Sequence, residues 1–431
     1  MTFAGCKGMY SYTYIVYPAS FQPYIIDQGG KQMSSHRQSY LPALLALAVS
    51  AFAIGTTEFI SVGLLPLISQ DLHIPVTTAG LTVSMYALGV TFGAPVLTSL
   101  TSSMSRKTLL LWVMLIFIAG NILAASASSI GILLTARVIT AFSHGIFMSI
   151  GATIAASIVP EHKRASAISI MFTGLTVATV TGVPFGTYLG QQFGWRIAFA
   201  VIVTVGIIAF LTNALLVPSN LRKGTKTAFS EQVKLVTNGR LLLLFMITAL
   251  GYGGTFVVFT YLSPLLQEVT GFQKETVAAV LLVYGIAIAI GNMIGGRLSN
   301  RNPLKALFYM FIVQAAVLFV LTFTAQFKTA GLITIILMGL LAFMNVPGLQ
   351  VYVVMLSERF APSAVDTASA LNIAAFNAGI AIGSFAGGII TDSIGIIHTA
   401  WIGALMVLSA VVLTGWSRKL EKRDHIIPER R

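Results

Sequence analysis

From about residue 41 to residue 416 the chain consists of long apolar stretches separated by short polar breaks. Twelve stretches can be drawn, at roughly 41–66, 77–101, 107–126, 130–155, 165–190, 196–217, 241–266, 275–298, 304–325, 330–356, 365–390 and 394–416. Each has the ~20 apolar residues that a helix needs to cross the hydrocarbon layer of a bilayer. Backbone in lipid must satisfy its own hydrogen bonds, so the pattern predicts helices. The predicted fold class is an all-α membrane protein of twelve transmembrane helices.

The longest internal polar stretch, Pro218 to Arg240, divides the helices into two sets of six. The predicted organisation is an N-terminal bundle at 40–217, a linker at 218–240, a C-terminal bundle at 241–417 and a basic tail at 418–431. The two sets echo each other. YALGVTFGAPVLTSLTSSMSRK, from Tyr86, aligns with YGIAIAIGNMIGGRLSNRNPLK, from Tyr284, and ASAIS, from Ala165, recurs as ASALN, from Ala368. Two matches at corresponding places indicate a duplication, and such repeats put a binding cavity near the midplane between the halves.

Composition agrees: 56% of residues are hydrophobic and 9% charged, too few charges for a soluble domain of 431 residues. The formal net charge of +13 falls between the apolar stretches, and unevenly. If each stretch crosses once, one side of the membrane collects the basic loops and the tail, while the other holds only Arg196, Lys274 and Lys328. The positive-inside rule then places both termini in the cytoplasm of a bacterial plasma-membrane protein. The charge is a topology signal, and no nucleic-acid partner is implied. One cysteine, Cys6, allows no disulfide within the chain, and six scattered histidines offer no metal-ligand spacing. No phosphate-cradling glycine loop or catalytic triad spacing is visible, so no cofactor and no enzymatic activity are expected. Residues 1–39 are expected to be disordered or to precede the native start, since Met33 begins a more plausible protein.

Glu58 is the only acidic residue deep within a predicted crossing. A charge at mid-bilayer costs roughly 2.5–3.5 kcal/mol on insertion scales, so such a residue is retained for function or for a permanent ion pair. Burial disfavours its charged form and a nearby cation favours it, and a group held between those effects can take up and release a proton. Arg137 is the matching cation, in a coupling or a structural role. His144 follows it about two turns deeper on the same helix face, as a proton relay or as a neutral packing residue.

The densest local pattern is TGLTVATVTGVPFGTYLGQQFGWR, Thr173 to Arg196. Pro184 is expected to bend this helix, flanked by Gly182 and Gly186, which give a neighbour room and face the other half as a gate. Trp195 and Arg196 are expected to anchor its end at the lipid headgroups. Candidate cavity residues are Tyr252, Phe256, Asn345, Asn372 and Phe376, against the plainer alternative of interhelical hydrogen bonding and packing. With so few charges, the solute should be a neutral or weakly charged organic molecule.

The helix 1 string, the loop after helix 2, ARVITAFSHGIF and TGVPFGTYLGQQFGWR together resemble the major facilitator superfamily. Within it the chain is most similar to the twelve-helix drug:proton antiporters of the AraJ-like sugar and drug efflux branch. The resemblance implies two pseudo-symmetric six-helix bundles and alternating access by a monomer that exports a sugar, drug or nucleobase-like solute against protons. It places Arg137 on the proton-coupling arginine of helix 4 and Gly182, Pro184 and Gly186 on the antiporter motif of helix 5. It places Gly93, Arg106 and Lys107 on the conformational motif between helices 2 and 3. Leu97 and Thr98 stand where that motif carries an acid, and Val183 separates glycine from proline where drug exporters often join them. Uptake by proton symport or facilitated diffusion is the alternative within transport; a polytopic receptor or enzyme is the alternative outside it.

Overall fold

The fold is a computed structural model that describes residues 40–101, 103–160, 163–219, 221 and 234–423. The expected extension at 1–39, most of the expected linker and the end of the tail lie outside these residues. Twelve long apolar helices account for nearly all of the rest. They are α1 (Leu41–Leu72), α2 (Val76–Leu97), α3 (Arg106–Ala125), α4 (Ile130–Ser157), α5 (Ser166–Phe193) and α6 (Trp195–Leu216) in the first half. The second half holds α7 (Gly239–Phe259), α8 (Lys274–Ser299), α9 (Pro303–Thr324), α10 (Lys328–Phe360), α11 (Thr367–Ser393) and α12 (Ile396–Arg423). The protein is a multi-pass, all-helical membrane protein. The face that carries Leu41 and Arg423 is called the basic face below.

Four helix starts have a local cause in a capping side chain. Ser105, Ser129, Asn238 and Asn302 accept hydrogen bonds from the first-turn amides of α3, α4, α7 and α9. The helices α1 and α7 are the most enclosed, 78% buried over their most apolar windows, against 28% for α6. They therefore form the centre of their halves, and α6 faces lipid.

Three helices are interrupted, each at the residue four before a proline. A proline supplies no N–H to that carbonyl and its ring crowds it. In α5, Val180 lies four before Pro184, and Ala178–Gly182 winds as a π-turn. After α7, Thr260 lies four before Pro264, and the helix breaks at Thr260 and Tyr261 before a short helix, Leu262–Pro264. In α10, Phe343 lies four before Pro347, and the helix splits into Lys328–Ala342 and Val346–Phe360.

The halves repeat in their polar stitches. Thr57 on α1 donates to Asn121 of α3 at 3.3 Å. Gln314 of α9 donates to Thr255 on α7 at 2.5 Å and to the Gly251 carbonyl at 3.0 Å. The register that pairs Tyr86 with Tyr284 also pairs Thr57 with Thr255, so the duplication read in helices 2 and 8 extends to helices 1 and 7.

Small residues bring helices together within each half. Gly93 meets Phe142 of α4, Gly291 and Gly295 meet the Leu340 and Met344 carbonyls of α10, and Gly379 and Gly383 meet the main chain of α7. A side chain at Gly295 would collide with the Met344 carbonyl, whereas one at Gly296 would find Pro347 at 3.9 Å. Gly295→Leu is thus expected to cost about 1–3 kcal/mol by overpacking, and Gly296→Leu little. Thermal unfolding of the purified variants in detergent checks this; equal midpoints would count against rigid α8–α10 packing.

Candidate functional site

Glu58 and Phe59 sit side by side midway along α1, both buried. Phe59 packs against the second half: its ring lies 6.1 Å from Phe256, 6.2 Å from Phe259 and 6.0 Å from Phe343. Tyr252 extends this cluster to Phe343 at 5.2 Å and Phe376 at 4.9 Å, and Tyr284 stacks on Phe259 at 5.2 Å. Rings from α1, α7, α8, α10 and α11 thus meet at the junction of the halves. Aromatic pairs at such spacings contribute about 0.5–1.5 kcal/mol each beyond their burial.

On the other side of Glu58 lies a polar cluster within the first half. Arg137, 1% exposed, donates from Nε to the Thr82 carbonyl at 3.1 Å and from Nη1 to the Thr57 carbonyl at 2.6 Å. Its Nη2 donates to the main-chain carbonyl of Glu58 at 3.0 Å. The guanidinium also lies 4.1 Å above the Tyr86 ring. The Tyr86 hydroxyl in turn bonds His144 Nδ1 at 3.2 Å. Arg137, Tyr86 and His144 therefore form one chain of contacts across α2 and α4, and Arg137 ties α4 to the backbones of α1 and α2. The Glu58 carboxyl lies within electrostatic reach of Arg137, Tyr86 and Tyr252. In the low dielectric of a membrane interior such charges act strongly.

The structure brings together Glu58, Arg137, His144, Tyr252, Phe256 and Phe376. It places other expected residues elsewhere. Asn345 is fully buried and donates to Gln314 Oε1 at 3.1 Å, inside the stitch between α9 and α7. Asn372, also fully buried, accepts from Thr248 at 2.7 Å and donates to Gln350 at 3.2 Å, which joins α7, α10 and α11. Arg106 donates to the Thr153 carbonyl at 3.3 Å and Lys107 to the Ala214 carbonyl at 2.8 Å, so this pair ties the start of α3 to the ends of α4 and α6. Cations belong at helix C-termini, where carbonyls lack partners.

Gly182 faces Thr56 and Gly186 faces Ile60, both on α1, so these glycines fit helix 5 to its own half. The approach to the other half is made by Gly285 of α8, where a side-chain carbon would lie 2.7 Å from the Thr179 carbonyl in the π-turn. The expected lipid anchor is corrected for Trp195, which is 2% exposed and donates to Asp71 Oδ2 at 3.0 Å. Arg196, whose side chain is 36% exposed, donates to the same oxygen at 2.6 Å and to the Ala127 carbonyl at 2.9 Å, so one carboxylate at the end of α1 holds both side chains.

Phe59, Phe259 and Phe343 were not among the sequence-derived site residues. Tyr86 had a signal, as the first residue of the repeat. The phenylalanines had none, since a ring in an apolar helix reads alike whether it faces lipid, core or the other half.

Residues 47–358 match the sequence pattern of the Major Facilitator Superfamily. The chain belongs to that superfamily. It is 82% identical over 392 residues to the MFS-type transporter YtbD of Bacillus subtilis, a match covering 91% of this chain and 99% of that one. It is 36% identical to the inner membrane transport protein YdhP of Escherichia coli over 377 residues, 87% of this chain and 96% of that one. The putative transporter AraJ of Escherichia coli is 30% identical over 391 residues, 88% and 97% of the two chains. Among solved structures, a D-xylose-proton symporter superposes with a TM-score of 0.71 at 14% identity, over 87% of this chain and 97% of that one. At that identity the likeness shows a shared fold. The two six-helix halves are those of a facilitator, and the protein is a transporter of that superfamily.

Proposed function

We propose that this transporter exports a small organic solute in exchange for protons, by alternating access of two rocking halves. It works as a monomer in a bacterial plasma membrane, with the basic face and both termini toward the cytoplasm. The observation that carries the reading is Glu58: a buried carboxyl at the junction of the halves, next to the residue that packs on the second half. A proton on Glu58 removes a charge at that junction, and its loss restores one, so protonation and the fit between halves are coupled. Tyr252, Phe256 and Phe376 supply an apolar wall for the solute on the far side of the junction. The single-carboxyl centre suits a neutral or weakly charged solute.

Contacts between the halves support a conformer closed on the outer side. Tyr261, freed by the break in α7, wedges against Gly80 of α2 and Gly388 of α11. Gln191 of α5 donates to the Lys274 carbonyl of α8 at 2.6 Å. These meet at the outer helix ends, away from the basic face.

A broad efflux screen in a host lacking its own exporters identifies the solute. Inside-out membrane vesicles with an acidic lumen are then expected to accumulate it. Accumulation only in right-side-out vesicles with an acidic exterior would mean symport and overturn export. Orientation is tested separately, with single cysteines at Lys305 and Lys328 in a Cys6→Ser background. A membrane-impermeant thiol reagent applied to whole cells is expected to label the cysteine at 328 and to leave that at 305 unlabelled; the reverse pattern inverts the topology.

A further inference from the structure

The Tyr86 hydroxyl and His144 Nδ1 meet at 3.2 Å inside the first half, where Tyr86 is 2% and His144 3% exposed. The two rings are tilted, with centroids 5.8 Å apart, and the face of the same tyrosine carries the Arg137 guanidinium. In this contact Nδ1 is the acceptor. Among the described residues the Tyr86 hydroxyl has no other hydrogen-bond partner, so a hydroxyl that accepted from Nδ1–H would bury its own proton unpaired. A hydroxyl that donates to Nδ1 also makes its ring richer in electrons, which strengthens the hold on the guanidinium.

A proton on Nδ1 would end that arrangement and set a second cation beside Arg137. Little is present to balance it. Of the helices packed on α4, α1 carries Glu58 and, at its outer end, Asp71; α2 carries Tyr86; α3 carries only Arg106 and Lys107 at its basic-face end; and α5 carries only Tyr188 toward its outer end. Two buried cations against one carboxyl would repel strongly in so dry a place.

The duplication supplies a control. The register that pairs Tyr86 with Tyr284 pairs Arg137 with Ile335 and His144 with Ala342. It also holds in space: Tyr86 packs with Ala141, and Tyr284 packs on Gly339, the position that matches Ala141. The second half thus keeps the tyrosine, yet among the described residues its buried hydroxyl bonds nothing. A tyrosine at this place packs without a histidine. The histidine occurs in the half that also carries the arginine and Glu58.

We propose that His144 is a positioning residue: its neutral Nδ1 holds the Tyr86 hydroxyl, Tyr86 fixes the plane of Arg137, and Arg137 sets the proton affinity of Glu58. The proposal rests on the reading of Glu58 as the coupling carboxyl. His144 itself carries no transported proton.

The test needs no solute. The carboxyl C=O infrared band of Glu58 is followed against pH in the full-length protein reconstituted in lipid, with Glu58→Gln as the subtracted blank. His144→Leu and Tyr86→Phe are each expected to move its midpoint to higher pH by at least ~0.5 unit, about threefold in proton affinity, because a slack guanidinium favours the carboxylate less. The double variant is expected to move it no further than either single one, since both remove the same bond. His144→Asn places an Oδ1 acceptor on the same Cγ that bears Nδ1 and takes no proton, so it is expected to keep the wild-type midpoint. Tyr86→Phe, which loses only the hydroxyl, decides the matter if His144→Leu fails to fold. An unmoved midpoint in Tyr86→Phe, additive shifts in the double variant, or a full shift in His144→Asn overturns the proposal, the last by making the titrating imidazole the active feature. A wild type with no titrating Glu58 band overturns the coupling role of Glu58 and this proposal with it, and the wild type alone tells that failure from the others.

Discussion

Glu58→Gln is expected to reach the membrane at wild-type abundance and to lose solute movement driven by an imposed pH gradient. Glutamine keeps the shape and much of the hydrogen-bonding capacity of a protonated glutamate but cannot release a proton. The variant therefore freezes one protonation state at the junction of the halves. The loss should be selective: solute moving down its own gradient, or exchanging with solute on the other side, needs no proton cycle. Proteoliposomes loaded at two pH values measure the first flux, and the same vesicles at symmetrical pH with radiolabelled solute measure the second. Wild-type pH-driven flux in Glu58→Gln removes this carboxyl from the mechanism. Loss of both fluxes with normal insertion would make Glu58 a solute-binding group instead. Among the described residues the other buried acid, Glu421, sits at the far end of α12, which sharpens the test.

The duplication explains why this chemistry is one-sided. The register that pairs Thr57 with Thr255 pairs Glu58 with Phe256, and Phe256 is a member of the ring cluster around Phe59, the next residue on α1. The same helix position carries a charge in one half and an aromatic wall in the other. A charged group in both halves would put two desolvated carboxyls at one junction, where like charges repel strongly.

How much of this was legible in the sequence depends on which physical signal each feature carries. Helix number and length were, because hydropathy over ~20 residues is a strong signal and lipid leaves the backbone no alternative. The helix breaks were legible only in part. Pro184, Pro264 and Pro347 mark interruptions, yet Pro66 and Pro95 lie inside unbroken helices. A proline removes one bond at either kind of place, and neighbouring packing decides whether the helix parts. Glu58 and Arg137 stood out because charge in an apolar stretch is rare. What Arg137 bonds to did not, since the donors go to main-chain carbonyls, which every residue has. Asn345 and Asn372 show the converse. Buried amides seek partners, and the Asn345 amino group and both ends of the Asn372 amide found them in neighbouring helices of their own half. Gly182 and Gly186 likewise reported a close approach without saying to which helix, and the answer was α1.

Arg137→Lys is expected to fail almost as completely as Arg137→Met, and this separates geometry from charge. A lysine restores the positive charge near Glu58. It cannot restore the arrangement, because three guanidinium nitrogens reach three carbonyls on two helices, at 2.6, 3.0 and 3.1 Å. An ammonium is a compact point charge without that planar fork. Hydrogen bonds from a charged group contribute about 1.5–3 kcal/mol each. The net loss is smaller than three such bonds, because removing the guanidinium also removes the cost of burying it. An unfolding midpoint lowered by several degrees in both variants is the expected stability result. Transport should suffer more than stability. Arg137 holds the main chain of Glu58 itself, so its removal lets the coupling carboxyl shift against the rings of the second half. Flux in proteoliposomes and thermal unfolding in detergent, measured on the same preparations, check both statements. Near wild-type flux in Arg137→Lys would show that a cation close to Glu58 suffices and that the clamp on α1 and α2 is incidental.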